Sequence, residues 1–345
     1  MDQVNTKFTL RTALTIVVSF GIAALFMWWA LQDMEFRKIS GYFAEANYFW
    51  VFVASVFGLL AYWFRAVRWN LLLEPLGHTI STSNSFWTIS FGYLMNLTIP
   101  RSGEVARATA LFGVEKVPVD ESFGTIILER VVDLLCMLVF LMLALIFRYN
   151  AIISFYRYIT EEKGRTADAS QSPILYIVAI AGLVFFLLFV IFRKHLAKFT
   201  LYQKVQNFIS GILLGLKSIL RLRQKQRFLW YTIAIWLCYY LAAYLVCFAL
   251  PATSEFGLAD GFFIIVVGTL GMMVPASGGI GAFHLALKFG IMALWLSMGR
   301  DPVEGGDIGL SYAFISHTMQ LVIMLVMGAL SIPMLARARA QISRQ

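Results

Sequence analysis

The apolar run Ser122–Phe147 carries three charged residues, Glu129, Arg130 and Asp133, one to two turns in from its start. At the centre of a bilayer each would cost roughly 2.5–3.5 kcal/mol, against about 0.3–0.6 kcal/mol gained per large aliphatic residue. Three such charges nearly cancel the apolar gain of the whole run, so they must be paired or line water. Glu129 and Asp133 share a helix face at i, i+4, and Arg130 can reach Asp133 at i, i+3. A second charged stripe, Arg101, Glu104 and Arg107, repeats at three-residue spacing. These six balance at three positive and three negative, and Arg65 and Arg68 tip the neighbourhood positive. Guanidinium groups suit bidentate phosphate binding, so Arg101, Arg107 and Arg130 are candidates for contact with a head group. Glu129 and Asp133 would hold those arginines in place or accept a proton. The competing reading is a charge network that merely pins one element to another. Arg65 and Arg68 read as interfacial residues that snorkel to water.

Arg101 lies in a motif that occurs twice. Ile99-Pro100-Arg101-Ser102-Gly103-Glu104-Val105-Ala106 is echoed by Val274-Pro275-Ala276-Ser277-Gly278-Gly279-Ile280-Gly281, 175 residues later. Both read aliphatic-Pro-x-Ser-Gly-x-β-branched-small, and Gly92 and Gly268 precede them at similar distances. Proline ends one half-helix or starts the next, and glycine lets the backbone turn. N–H groups freed at a half-helix start favour an anion. Ser102 and Ser277 either bind a ligand or cap helices. His284 and Lys288 share a helix face after the second motif; His284 could titrate near neutrality or serve as a hydrogen-bonded packing residue.

The elements that must position these residues are membrane helices. Of the 345 residues 60% are hydrophobic and 14% charged, with a mean hydropathy of +0.76, too few charges to cover a soluble domain of this size. Clear spans are Thr12–Leu31, Tyr48–Phe64, Ser122–Phe147, Pro173–Phe192, Phe228–Leu250 and Leu310–Leu335. The first is too long for a signal-peptide core and reads as a retained helix. Segment 193–227 carries nine basic residues and no acidic one, which places it in the cytoplasm. Its apolar residues recur at helical spacing, so it reads as an interfacial helix against anionic head groups. The net charge of +9 is thereby explained without nucleic acid. Lys7, Arg11, Arg337, Arg339 and Arg344 place both termini in the cytoplasm, while the acidic 300–307 lies outside.

Counting crossings then requires residues 84–121 to begin and end in the cytoplasm, and residues 261–297 to begin and end outside. Each reads as a re-entrant hairpin. The expected fold is an all-α polytopic membrane protein: one domain over residues 1–345, about six full transmembrane helices and two oppositely oriented hairpins forming an inverted repeat. Broken helices of such repeats meet near the midplane, where transporters place substrates.

The residues Gly92-Tyr93, Asn96, Ile99 to Glu104, Arg107, Glu129 to Asp133 and Pro275 to Gly281 together resemble the lysylphosphatidylglycerol synthase transmembrane, flippase-like family. In that family the resemblance implies a membrane domain that flips an aminoacylated phosphatidylglycerol between leaflets, joined to a soluble synthase domain. This chain reads as the membrane part without that synthase. What carries over is a membrane cavity for an anionic or zwitterionic lipid, with the Pro-Arg-Ser-Gly-Glu and Glu-Arg-Val-Val-Asp residues as its best candidates.

The expected function is translocation of such a lipid, its polar head crossing through a charged cavity in the cytoplasmic membrane. The substrate-binding set is Arg101, Ser102, Glu104, Arg107, Glu129, Arg130, Asp133, Ser277, His284 and Lys288. No Gly-x4-Gly-Lys-Ser/Thr motif is present, so movement would follow a gradient, protons or product removal. A membrane transferase would need a nucleophile, base or metal cluster; the four histidines lie far apart in sequence, and no catalytic residue, cofactor or metal is expected. A lipid-binding scaffold that transports nothing is the third reading. A homo-oligomer is compatible with all three.

Overall fold

A computed structural model describes residues 10–31, 36–99, 101–163 and 222–342. Among these every regular element is helical. They are α1 (Leu10–Leu31), α2 (Phe36–Glu45), α3 (Tyr48–Leu73), α4 (Thr82–Thr98), α5 (Gly103–Glu115), α6 (Val119–Lys163), α7 (Lys225–Tyr244), α8 (Leu258–Met272), α9 (Ala282–Ser297) and α10 (Pro302–Ile342), with short 3-10 turns between some of them. The described residues up to Phe155 and from Leu222 onward belong to one compact unit.

Among the described residues six stretches are long and apolar enough to cross a membrane: Leu14–Leu31, Tyr48–Leu76, Val119–Tyr158, Lys225–Ala249, Ser277–Ser297 and Pro302–Gln341. Five coincide with expected crossings. The expected crossing Pro173–Phe192 and most of the basic segment 193–227 lie outside the described residues. Ser277–Ser297 belongs to the second expected hairpin, and 72% of it is buried, against 17% for Leu14–Leu31. It packs inside protein rather than facing lipid.

The element order repeats. A long helix, two short helices joined by a break, and a second long helix occur as α3–α4–α5–α6 and again as α7–α8–α9–α10. The short helices hold 17, 13, 15 and 16 residues. At ~1.5 Å per residue they run ~20–26 Å, short of a ~30 Å hydrocarbon core.

Each short pair is a closed helical hairpin. In the first, Glu115 Oε1 at the end of α5 accepts from Asn84 Nδ2 at 2.7 Å and the Ser81 N–H at 3.2 Å, both at the start of α4. In the second, Glu255 and Arg300, flanking α8 and α9, form a two-pronged ion pair. Asn70 of α3 anchors the entry to the first hairpin, donating to the Ile80 carbonyl at 3.2 Å and Thr82 Oγ1 at 3.3 Å. The side chains beneath it, Trp69, Ile89, Leu111 and Ile126, form a fully buried cluster that unites α3 to α6. Between helices in lipid, such a cluster stabilises by packing rather than by excluding water.

The motif glycines divide into two kinds. Gly103 has no left-handed φ, and it serves close approach rather than turning. A Cβ on it would strike the Gly92 carbonyl, and one on Gly92 would lie 2.7 Å from the Gly103 carbonyl. In the second copy Gly278, Gly279 and Gly281 do turn the chain, at φ 61°, 76° and 81°. In the first copy the left-handed residue is instead Arg101, φ 61°, at the motif position that Ala276 fills at φ −97° in the second. The two motifs match in sequence, yet their turns are built differently.

Candidate functional site

Charges from α3 and α5 converge on those of α6. Arg65 and Arg68, one turn apart on α3, face Glu129 and Asp133, one turn apart on α6. Arg68 Nη2 donates to Asp133 Oδ1 at 2.9 Å and lies 3.6 Å from Glu129 Oε1. Arg65 Nη2 is 3.8 Å from Asp133 Oδ2. Arg107 of α5 donates directly to Glu129 Oε2, with its guanidinium 4.1 Å from the ring centre of Trp69, a cation–π contact. Helix α7 adds neutral partners: the Tyr239 hydroxyl accepts from Arg65 at 3.1 Å and Thr232 Oγ1 from Arg68 at 3.4 Å.

The sequence reading of Arg65 and Arg68 is corrected here. They do not snorkel; they are 3% and 0% exposed, because α6 brings carboxylates to them inside the protein. Arg130 does not close on Asp133 by a hydrogen bond either. Its Nη2 donates to Glu104 Oε1 at 2.7 Å, a pair that stays 44% and 25% exposed. The helix spacing allowed the intrahelical pair, but Asp133 is already engaged by α3.

Among the described residues, three buried guanidiniums against two carboxylates leave this network one positive charge in excess. Arg65, Arg68 and Arg107 each keep a buried Nε–H with no hydrogen-bond partner among the described residues. Beside the network is a cavity of about 10 Å³, lined by Arg65, Tyr93, Asn96, Glu104, Arg107 and Arg130 among others. That is room for about one water molecule.

The other expected site residues lie elsewhere. Arg101 is exposed at the first hairpin tip, its Nη2 donating to the Met273 carbonyl on the second tip at 3.2 Å. Ser102 caps the end of α4, donating to the carbonyls of Met95 at 3.0 Å and Ile99 at 2.7 Å. The Gly103 N–H, first of α5, is taken by Asn96 Oδ1 at 2.7 Å, so it is not open to an anion. Ser277 is buried and shares a 2.9 Å hydrogen bond with Ser19 of α1. His284 Nδ1 accepts from the Gly281 N–H at 3.3 Å, and Lys288 Nζ donates to the Ala30 carbonyl at 3.0 Å. These contacts brace the second tip and α1, apart from the charge network.

Sequence reading missed three features. His284 and His317 meet edge to face with ring centres 4.9 Å apart, and His317 Nε2 lies 2.9 Å from the Gly278 carbonyl; two of the four histidines therefore meet. Arg148, at a non-helical point of α6, pairs with buried Asp260 at the start of α8 at 2.7 Å. Ser19 was not singled out at all. Only Asp260, an acid opening an apolar run, offered a sequence signal. Among the described residues no three His, Cys, Asp or Glu are grouped to hold a metal ion.

Together these define a polytopic α-helical membrane protein with two broken-helix hairpins and a buried, net-positive ion network. The chain belongs to the family described as lysylphosphatidylglycerol synthase TM region, which it matches over residues 16–328. It is similar to a UPF0104 membrane protein of Methanocaldococcus jannaschii, 28% identical over 130 residues, or 37% of this chain and 37% of that protein. The matched stretch thus spans little more than a third of that relative. No solved structure matches the chain.

Proposed function

We propose that this protein is a lipid translocator that moves an anionic or zwitterionic phospholipid between leaflets, its head group passing through the Arg65–Arg68–Arg107–Glu129–Asp133 network. The observation that carries the reading is the excess positive charge of that buried network. An uncompensated buried charge is costly, and a phosphodiester supplies the single negative charge that would balance it. The half-exposed Arg130–Glu104 pair forms the rim: its separation would admit a head group toward Arg65 and Arg107 while the acyl chains stay in the bilayer. Glu129 and Asp133 hold the arginines apart from one another and in place. No catalytic step is assigned to any of these residues.

In this reading the protein lies in the cytoplasmic membrane with both termini inside. The two hairpins are re-entrant from opposite sides, and rocking of the two helix–hairpin–helix repeats alternates access. The repeated element order and the short, closed hairpins support it. The test is leaflet exchange of fluorescent head-group-labelled phospholipids in vesicles holding the purified protein, wild type against Glu129→Gln and Glu104→Gln. Exchange that needs the protein and fails in folded variants supports the translocator. A panel of anionic and zwitterionic lipids with no exchange above protein-free vesicles overturns it, in favour of a binding scaffold or a membrane transferase.

A further inference from the structure

Where α1 meets the two hairpin tips there is an open cleft of about 390 Å³, separate from the charge network. One wall is a helical stripe of α1: Leu14, Thr15, Val18, Ser19 and Ile22. Pro275 of the second tip and Arg101 of the first complete it. Arg101 is exposed, and its backbone is held at φ 61°, a conformation that glycine adopts freely and arginine rarely. The tip thus presents this guanidinium at a cleft otherwise lined by apolar and hydroxyl side chains.

We propose that this cleft binds a phospholipid, with Arg101 on its phosphate and an alkyl chain along Leu14, Val18 and Ile22. The volume lies in the range of small-molecule sites. An inorganic phosphate would leave the apolar wall unused, and a plain alkyl chain would leave the cation unused; only a ligand that joins the two matches both. Among the described residues none that lines the cleft is acidic, so none of them competes for the guanidinium. Its present acceptor is the neutral Met273 carbonyl at 3.2 Å. A phosphate makes a stronger, charge-assisted bond to the same donors, so lipid capture draws Arg101 away from the second hairpin and loosens the contact between the tips. The site deepens the translocator reading by adding an entry subsite, but binding is measured at equilibrium without any exchange.

The experiment is an anisotropy titration of the detergent-solubilised full chain with a short-chain fluorescent phosphatidylglycerol. Arg101→Gln removes the cation; Val18→Trp, on a residue 51% exposed, fills the cleft from the α1 side while Arg101 stays in place. Each is expected to weaken binding by about tenfold or more, the scale of one lost charged contact. Inorganic phosphate is expected not to displace the probe, and an uncharged diacylglycerol to displace it poorly. Wild-type titration by both variants, or displacement by inorganic phosphate as effective as by phosphatidylglycerol, overturns the site. Exchange lost in Glu129→Gln while Arg101→Gln binds normally overturns this site and spares the translocator. Binding that depends on Arg101 with no lipid exchange does the reverse.

Discussion

Asn84 Nδ2, one turn into α4, donates to Glu115 Oε1, the last residue of α5, at 2.7 Å. A segment of 32 residues therefore returns to where it started. Glu255 and Arg300 close the second hairpin in the same way across α8 and α9. Both clasps sit at hairpin bases, while Arg101 and Met273 join the tips.

Opposite entry of the hairpins has a direct readout. With the native cysteines replaced, Asp120→Cys, just after the first hairpin, is expected to react with an impermeant thiol reagent from the cytoplasmic side. Val303→Cys, just after the second, is expected to react from the other side. Both side chains are exposed, so labelling of both from one side would sink the inverted arrangement.

Truncating the buried network is expected to separate stability from transport. Glu129 is 0% exposed and bonded to Arg107, so Glu129→Gln leaves a buried guanidinium without its counter-charge. A loss of about 3–5 kcal/mol is expected, read as thermal unfolding in detergent. Glu104 is 25% exposed in its pair with Arg130, so Glu104→Gln is expected to cost about 0–1 kcal/mol yet impair lipid exchange. Equal stability losses would contradict the distinction between core and rim.

The glycines offer a matched comparison. Gly92→Ala and Gly103→Ala each drive a methyl group into the facing backbone of the hairpin, and each is expected to destabilise by roughly 1–3 kcal/mol. Gly113→Ala and Gly124→Ala are also helical, with open space around the added methyl. Those two are expected to be neutral or to stabilise by up to about 1 kcal/mol. Equal unfolding midpoints for all four would refute the close approach of α4 and α5.

The second clasp is expected to weaken in acid. The Arg300 hydrogen bond and charge hold the Glu255 carboxyl below the usual carboxylate range, and Arg300 is raised in turn. A depressed carboxylate contributes stability above its unfolded value of about 4.3. That contribution is lost as pH falls through the folded value. The raised Arg300 contributes below its unfolded value and loses that only in strong alkali. Between pH 7 and pH 3 the unfolding midpoint of wild type is expected to fall further than that of Glu255→Gln. Parallel curves would show that the pair contributes nothing.

Much of this protein is local and was legible in the residue order. Hydropathy marks the crossings because a span's length and polarity are properties of one segment. Breaks near Ile99–Ser102 and Met273–Gly281 were legible because proline and glycine act on their own backbone. That Glu129, Arg130 and Asp133 needed partners followed from the cost of charge in an apolar run. Which partners they took did not follow. Arg107 and Glu129 are 22 residues apart, Arg68 and Asp133 65, Arg148 and Asp260 112, and Ser19 and Ser277 258. A sequence sets which face of a helix carries a charge; only the packing of α3, α5 and α7 around α6 sets what that face meets. For that reason Arg65 and Arg68, read as surface residues, turned out to be the buried centre of the site, and Arg130, read as central, its rim.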